Sequence, residues 1–398
     1  MMNMALARNA IVPCARKPHV AFVLQGLGAG GSEHIVGLLC NHFAAQSWTV
    51  TLFAFEDRAA RPYYPLDSAV RVMPLGMKSR KMSSLAGLAT LWARVRLLRK
   101  GFEVAGPDIV VSFLTRTNII SLLASRGLDL PVIISERNNP ALQSVGPFWE
   151  RMRRWTYPRS YGLITMTRGA MDYFHPRMRK RQKVIPNPAT LPAKAKAWRR
   201  DGRTMVAVGR LTAQKGFDRL LDAFARISSV HSDWRLVIWG EGADREALER
   251  QRHDLGLDDR VDLPGVSARP GGWIEDADLF ILSSRFEGWG LVLGEAMAAG
   301  LPVISYDCQW GPAEMIEHEQ SGLLVPEGDI EALASGLDRL CADEDLRARL
   351  ALNARAAMKR YSPERILQHW QQTIEEALPK LSDADGSKLE VSAISSEC

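Results

Sequence analysis

Between Asp278 and Ser305 the sequence DLFILSSRFEGWGLVLGEAMAAGLPVIS admits few folds. DLFILSS is an apolar run of strand length, suited to a strand buried on both faces and too short for a helix. The loop RFEGWG carries Glu287, and Gly288 and Gly290 let its backbone come close to something. LVLGEAMAAG then reads as a helix, stopped by Gly300 with Pro302 just beyond, and PVIS as the next strand. Glu295 falls in the second turn of that helix, eight residues after Glu287. Two such carboxylates can face the crevice at the carboxyl ends of the strands, where open α/β sheets bind ligands. A lone pair would equally fit one helix acid and one solvated loop acid. The glycines around this pair, and features upstream, point at the same crevice.

The same alternation runs through the whole chain. HVAFVLQ (His19 to Gln25) is a first strand, followed by GLGAGGSEHIVGLLCNHF, in which Gly26, Gly28 and Gly31 fit G-x-G-x-x-G. Ser32 is placed to cap the helix there and Glu33 favours its first turn. Further strands are expected at WTVTLFAFE, VRVMPL, DIVVSFL, PVIISE, GLITMT and KVIPNP. A second series brings TMVAVGRL, WRLVIWG, RVDLPG, DLFILSS and PVISYD, with helices at Gly216 to Ile227, ADREALERQRHDLG and GPAEMIEHE. Strands alternating with helices mean α/β, with two Rossmann-like, doubly wound parallel sheets. The boundaries expected are a disordered lead over 1–18, a first domain over 19–190 and a linker over 191–202. A second domain over 203–361, a C-terminal helix over 362–380 that can cross back to the first domain, and a disordered tail over 381–398 complete the chain.

The chain's 398 residues suffice for two domains, and no apolar run reaches the roughly 18 residues that span a bilayer. Five scattered cysteines without CxxC spacing fit a reducing cytosol, and with eight histidines in no paired spacing they argue against a metal site. Charge is divided unevenly. Residues 1–195 hold 27 Lys and Arg against 10 Asp and Glu, or +17, and the remainder 24 against 35, or −11. A basic first half suits phosphates of a nucleic acid, an anionic membrane or a lipid-linked substrate. WARVRLLRKGF, FWERMRRWTYPR and HPRMRKRQK interleave Arg and Lys with aromatics, as a peripheral protein does on an anionic surface. Solvated helix faces fit these segments too, and no nucleic-acid motif accompanies them.

In VGRLTAQKGF, Arg210 ends a strand and Lys215 precedes a helix, a placement that can grip two oxygens of a diphosphate and equally fits a solvated basic loop. Taken with QGLGAGGSEH, RFEGWGLVLGEAMAAGLPVIS and GPAEMIEHEQSGLLVP, the chain from about His19 to Leu378 resembles the retaining glycosyltransferases of family 4, which have the two-domain GT-B fold. Glu287 and Glu295 meet that family's Glu-x7-Glu signature.

The resemblance implies a nucleotide-diphospho-sugar donor held between the domains. Arg210 and Lys215 would stabilise the departing diphosphate without a metal or other cofactor, and Gly30 and Gly31 would close on the same phosphates. Glu295 would hold the ribose, and Glu287 with Gly288, Trp289, Gly290 and Leu291 the sugar side. Val266 would lie by the base. IISERNNP stands where many relatives carry a histidine, which passes its role near the sugar or acceptor to Glu136, Arg137 or Asn138. Gly294 replaces a usual bulky residue. The form GP-x-E-x-I at Gly311 to Ile316 resembles relatives that use UDP-galactose or UDP-N-acetylhexosamines.

The implied enzyme is a retaining hexosyltransferase acting on a growing, polyprenyl-diphosphate-linked glycan, cytoplasmic and peripheral on the inner face of the membrane. The rivals are an NAD(P)-dependent oxidoreductase using Gly26, Gly28, Gly31 and Glu56, which leaves Arg210, Lys215, Glu287 and Glu295 without roles, and a non-catalytic sugar-nucleotide-binding relative.

Overall fold

A computed structural model describes residues 16–77, 84–190 and 202–378. The lead to residue 15, nearly all of the 191–202 linker and the tail from 379 lie outside them.

The first half runs β1 (His19–Leu24), α1 (Gly31–Ala45), β2 (Thr49–Ala54), β3 (Arg71–Pro74), α2 (Ser84–Ala105), β4 (Ile109–Phe113), α3 (Thr115–Ala124), β5 (Val132–Glu136), α4 (Pro147–Thr156), β6 (Gly162–Thr165), α5 (Arg168–Tyr173) and β7 (Lys183–Val184). These seven strands form a parallel sheet in the order β3-β2-β1-β4-β5-β6-β7. The order reverses direction beside β1, so the start of α1 opens at the switch point where such sheets bind ligands. The central strands β1, β4 and β5 are buried throughout, as their near-continuous apolar sequences require.

The second half runs β8 (Thr204–Val208), α6 (Phe217–Ser228), β9 (Arg235–Trp239), α7 (Arg245–Asp254), β10 (Val261–Gly265), β11 (Leu279–Leu282), α8 (Leu291–Ala299), β12 (Val303–Asp307), α9 (Pro312–Met315), β13 (Leu323–Pro326), α10 (Ile330–Ala342), α11 (Glu344–Met358) and α12 (Pro363–Glu375). Six parallel strands take the order β10-β9-β8-β11-β12-β13, with the switch point between β8 and β11. The α/β class with two doubly wound sheets is therefore the architecture found. α12 returns to the first sheet, placing Ile366, Trp370 and Ile374 in its core, with the Trp370 ring 5.6 Å from that of Phe113.

Local details depart from the sequence reading. α1 begins one residue before Ser32, so Gly30 is the N-cap and Ser32 is buried in the first turn rather than capping it. GPAEMIEHE makes one turn only, because Glu317, whose backbone N–H is taken by the Ser321 hydroxyl, opens a tight loop that leads into β13. The strand GLLVP and the helices α10 and α11 were not read as elements at all.

Candidate active site

A cleft of about 680 Å³ lies between the two sheets, bounded by the carboxyl ends of their strands and the loops that follow. On the second-sheet side, β8 ends at Val208 and delivers Arg210, exposed, and Lys215, nearly buried at the entry to α6. β11 ends at Leu282 and delivers Glu287 in the loop before α8. Lys215 Nζ stands 2.6 Å from Glu287 Oε1, and the Ser284 hydroxyl donates to the same oxygen at 2.7 Å. The Ser283 hydroxyl donates to the Lys215 carbonyl at 2.9 Å, and the Gln214 amide to the Phe286 carbonyl at 3.1 Å. The two loops are thus tied together along their length. Arg285, beside Glu287, turns away to make a two-point contact with Asp218 at 2.6 and 2.8 Å, which holds the Asp218 carboxyl below its ordinary range.

Two glycines in this loop serve different needs. Gly290 caps α8 at φ +88°, a left-handed conformation that side chains resist. Gly288 lies against the first-sheet loop after β5, where a Cβ would come to 2.7 Å of the Arg137 carbonyl oxygen and 2.8 Å of the Met166 methyl. What the loop backbone comes close to is the other half of the protein. Gly294 has a similar origin. Its Cα faces the Met315 sulfur and Ala189, leaving space for a methyl group but not for a bulky side chain.

Glu295 is set differently from Glu287. It is buried on α8, and His34 of α1 approaches it from the first sheet, Nδ1 to Oε1 3.6 Å. Desolvation pushes the Glu295 carboxyl up to about 8 and the His34 imidazole down to about 4, so both are neutral near pH 7. His34 stacks on Tyr64 at 4.7 Å, and Tyr63 donates to the Ser267 carbonyl of the second half at 3.1 Å. His34, Tyr63 and Tyr64 were not singled out in the sequence. Only the fold brings the segment after β2 over α1.

Of the residues expected at the site, Gly30, Gly31, Arg137, Asn138, Arg210, Lys215, Val266, Glu287, Gly288, Trp289, Gly290, Leu291 and Glu295 all line this one cleft. Glu136 does not. It is the last residue of β5, and its side chain turns into the first domain, where the Tyr157 hydroxyl and the Thr115 hydroxyl donate to its carboxylate. Burial pushes its pKa up. Its neighbour Arg137 is buried too, donating to the Ile185 carbonyl at 3.0 Å and to Asn187 Oδ1 at 2.6 Å, with the rings of Phe113 and Trp370 within 6 Å. Loss of solvation lowers its pKa to about 9. Glu56, two residues past β2, stands by Gly26. Among the described residues, no group of three or more His, Cys, Asp or Glu is arranged to hold a metal ion.

Two parallel sheets face each other across a cleft on which cations and helix starts converge, an arrangement of two Rossmann-like domains rather than a single dinucleotide-binding domain. Known proteins agree. The family described as glycosyl transferases group 1 matches residues 192–357, and the glycosyl transferase 4-like domain matches residues 30–188. Solved structures of the same shape include a sucrose-phosphate synthase from Thermosynechococcus elongatus (TM-score 0.77, 20% identity, 90% of this chain and 99% of that one). Another is HepE of Anabaena, determined in complex with UDP (TM-score 0.70, 19% identity, 90% and 100%). By sequence the chain is 28% identical to an N-acetyl-D-galactosaminyltransferase of Campylobacter jejuni whose name specifies an undecaprenyl-diphosphate-linked acceptor, over 90% of this chain and 98% of that one. It is 25% identical to the amylovoran biosynthesis glycosyltransferase AmsD of Erwinia amylovora, over 86% and 95%. The chain belongs to the GT4-like glycosyltransferases and has the GT-B fold.

Proposed function

We propose that this glycosyltransferase works with retention, moving a hexose or N-acetylhexosamine from a nucleotide-diphospho-sugar to a growing lipid-linked glycan in polysaccharide biosynthesis. One observation carries the reading. Arg210, Lys215 and the N-terminal ends of α1 and α8 converge on one cleft, a setting built for a diphosphate.

As the bond from the anomeric carbon to the β-phosphate oxygen breaks, charge grows on the diphosphate. Lys215 and Arg210 neutralise it, with N–H groups of Gly30 and Gly31 closing from the other sheet. The acceptor hydroxyl attacks from the same face and gives its proton to the departing phosphate oxygen, so no metal or other cofactor takes part. Glu295 accepts from the ribose hydroxyls, and Val266 borders the base. Glu287 and the backbone of Gly288 to Gly290 contact the sugar. Arg137 and Asn138 stand on the acceptor side. The GP-x-E-x-I form and the UDP of the HepE structure support a UDP-sugar, and the name of the C. jejuni relative supports a lipid-linked acceptor.

No helix among the described residues is long and apolar enough to cross a membrane. Attachment to an anionic inner face falls to α4, whose outer side carries Phe148, Arg151, Arg154 and Trp155, all exposed. Arg153, in the same basic run, faces inward against Glu150 and the Phe174 ring and takes no part.

The test offers a panel of nucleotide sugars and reads thermal stabilisation. A true donor at 100 times its Kd adds about 2.7 kcal/mol. Transfer to a polyprenyl-diphosphate-linked glycan is then followed by NMR of the new anomeric centre. An inverted product, or no stabilisation by any UDP-sugar, overturns the corresponding part of the reading.

A further inference from the structure

Glu33 lines the cleft with no role in the reaction just described. It is the third residue of α1, and its carboxylate folds back over the start of the helix. A Cβ placed on Gly30 would overlap it, with the carboxyl carbon only 2.9 Å away. Burial raises the pKa of this carboxyl, and two weaker influences oppose that rise, the hydrogen bond it accepts from its own backbone N–H and the charge of Arg210, which lines the same cleft. An acid in a first helical turn is commonplace where the helix starts in solvent. Here that start is one wall of the substrate cleft. The acid occupies it and faces one of the two cations assigned to the diphosphate.

We propose that Glu33 is an internal stand-in for the donor diphosphate, exchanged when donor binds and returning to expel the nucleoside diphosphate after transfer. This rests on the donor reading above. The chemistry makes the repulsion selective. In the donor the diphosphate is esterified at both ends and carries two negative charges. When the glycosidic C–O bond breaks, the bonding electrons stay on the β-phosphate oxygen, which takes the acceptor's proton. A terminal phosphate loses that proton to water above a pKa of about 6, so the product near neutral pH carries three charges. A carboxylate beside it therefore disfavours product more than donor. Arg210, released by the product, finds its counter-charge again in Glu33.

The experiment compares wild type with Glu33→Gln, which keeps the side-chain shape and the acceptor for the backbone N–H. Trp239 and Trp289 in the cleft report binding by fluorescence, with nucleosides and nucleoside diphosphates of uracil, guanine, adenine and thymine as probes at pH 7.5. Removal of one like charge beside a partly buried anion should tighten the diphosphate about tenfold and leave the nucleoside unchanged. Product inhibition should deepen by the same factor, donor KM should fall less, and kcat should drop once release limits turnover. Unchanged or weaker diphosphate binding by the variant, with wild type binding normally, overturns the role of Glu33. If wild type binds none of the diphosphates, the donor reading fails, and this proposal with it. Glu33→Ala, which vacates the helix start, must show the same tightening, and a loss of diphosphate affinity there would also overturn the proposal.

Discussion

On the second-sheet wall of the cleft, Lys215, Glu287 and Ser284 hold one another within that half of the chain, while Gln214 donates to the Phe286 carbonyl and accepts from Gln143 of the first half. The first-sheet wall is built otherwise. Arg137 meets neutral groups and rings, and much of what that wall presents is defined only where the halves touch. His34 meets Glu295, Tyr63 meets Ser267, and the Arg137 carbonyl lies over Gly288. The contrast separates two tasks. A site for a charged donor needs cations fixed before the reaction begins, since groups already oriented cost no reorganisation as charge develops. A wall that must also admit an acceptor and release a product is better made from contacts across a seam, each weak enough to part. Net charge is divided differently, +17 over residues 1–195 and −11 over the remainder, and the cleft cations Arg210 and Lys215 lie on the acidic half.

The largest effect is expected at the Lys215–Glu287 pair on the second-sheet wall. Lys215→Ala should lower kcat by about two powers of ten or more, as loss of a charged contact to a leaving group does. EDTA should leave the wild-type rate intact. A variant altered only in KM, or a rate that needs added metal, would place the catalytic charge elsewhere and break the contrast.

The seam is probed by Glu295→Gln. Its carboxyl titrates near 8 in the folded chain against an ordinary 4.5, so between those values the folded state keeps a proton that the unfolded state lacks. Stability then falls as pH rises through that window. His34, lowered from 6.5 to about 4, acts in the opposite sense between 4 and 6.5. The two largely offset there, and from pH 6.5 to 8 the Glu295 effect stands alone, worth about 2 kcal/mol at most. Wild type should lose melting temperature over that range and the variant should not, while the variant binds free nucleoside diphosphate and donor more weakly alike. Glu287→Gln, which frees Lys215, should spare the free nucleotide. Equal losses of nucleotide affinity in the two variants would show that the glutamates are not divided between ribose and sugar.

The smallest effect concerns the outer face of the basic half. Each basic residue near an anionic surface contributes about 1 kcal/mol, screened within about 8–10 Å. Arg151→Ser with Arg154→Ser should therefore weaken sedimentation with phosphatidylglycerol liposomes at low salt and change little at high salt. Turnover of a soluble acceptor should be unaffected. Binding indifferent to salt and lipid charge would remove the membrane from the first domain's task.

Most of the strands and the α/β class were legible because a strand buried on both faces must be a short apolar run, and glycine and proline punctuate the ends. Arg210, Lys215, Glu287 and Glu295 stood out because their spacing from such strand ends is local information. The residues that went unread are those whose meaning is non-local. Glu136 and Arg137 are neighbours in sequence, yet Glu136 ends β5 with its carboxylate turned to Tyr157 in the core while the next residue reaches the cleft. In the run Arg151 to Arg154, the helical turn of α4 sends Arg153 inward against Glu150 and leaves Arg151 and Arg154 outside. Gly288 announces a close approach but not its partner. By itself the sequence determined most strands of the two sheets, several of their helices and the strand-end residues, since these follow from short-range periodicity and backbone sterics, whereas β13, α10 and α11 went unread. Only the tertiary structure decided that His34 faces Glu295, that Glu33 lies over Gly30 opposite Arg210, and that Gly288 touches Arg137. Those pairs come together because two sheets pack face to face, which no periodicity within either half encodes.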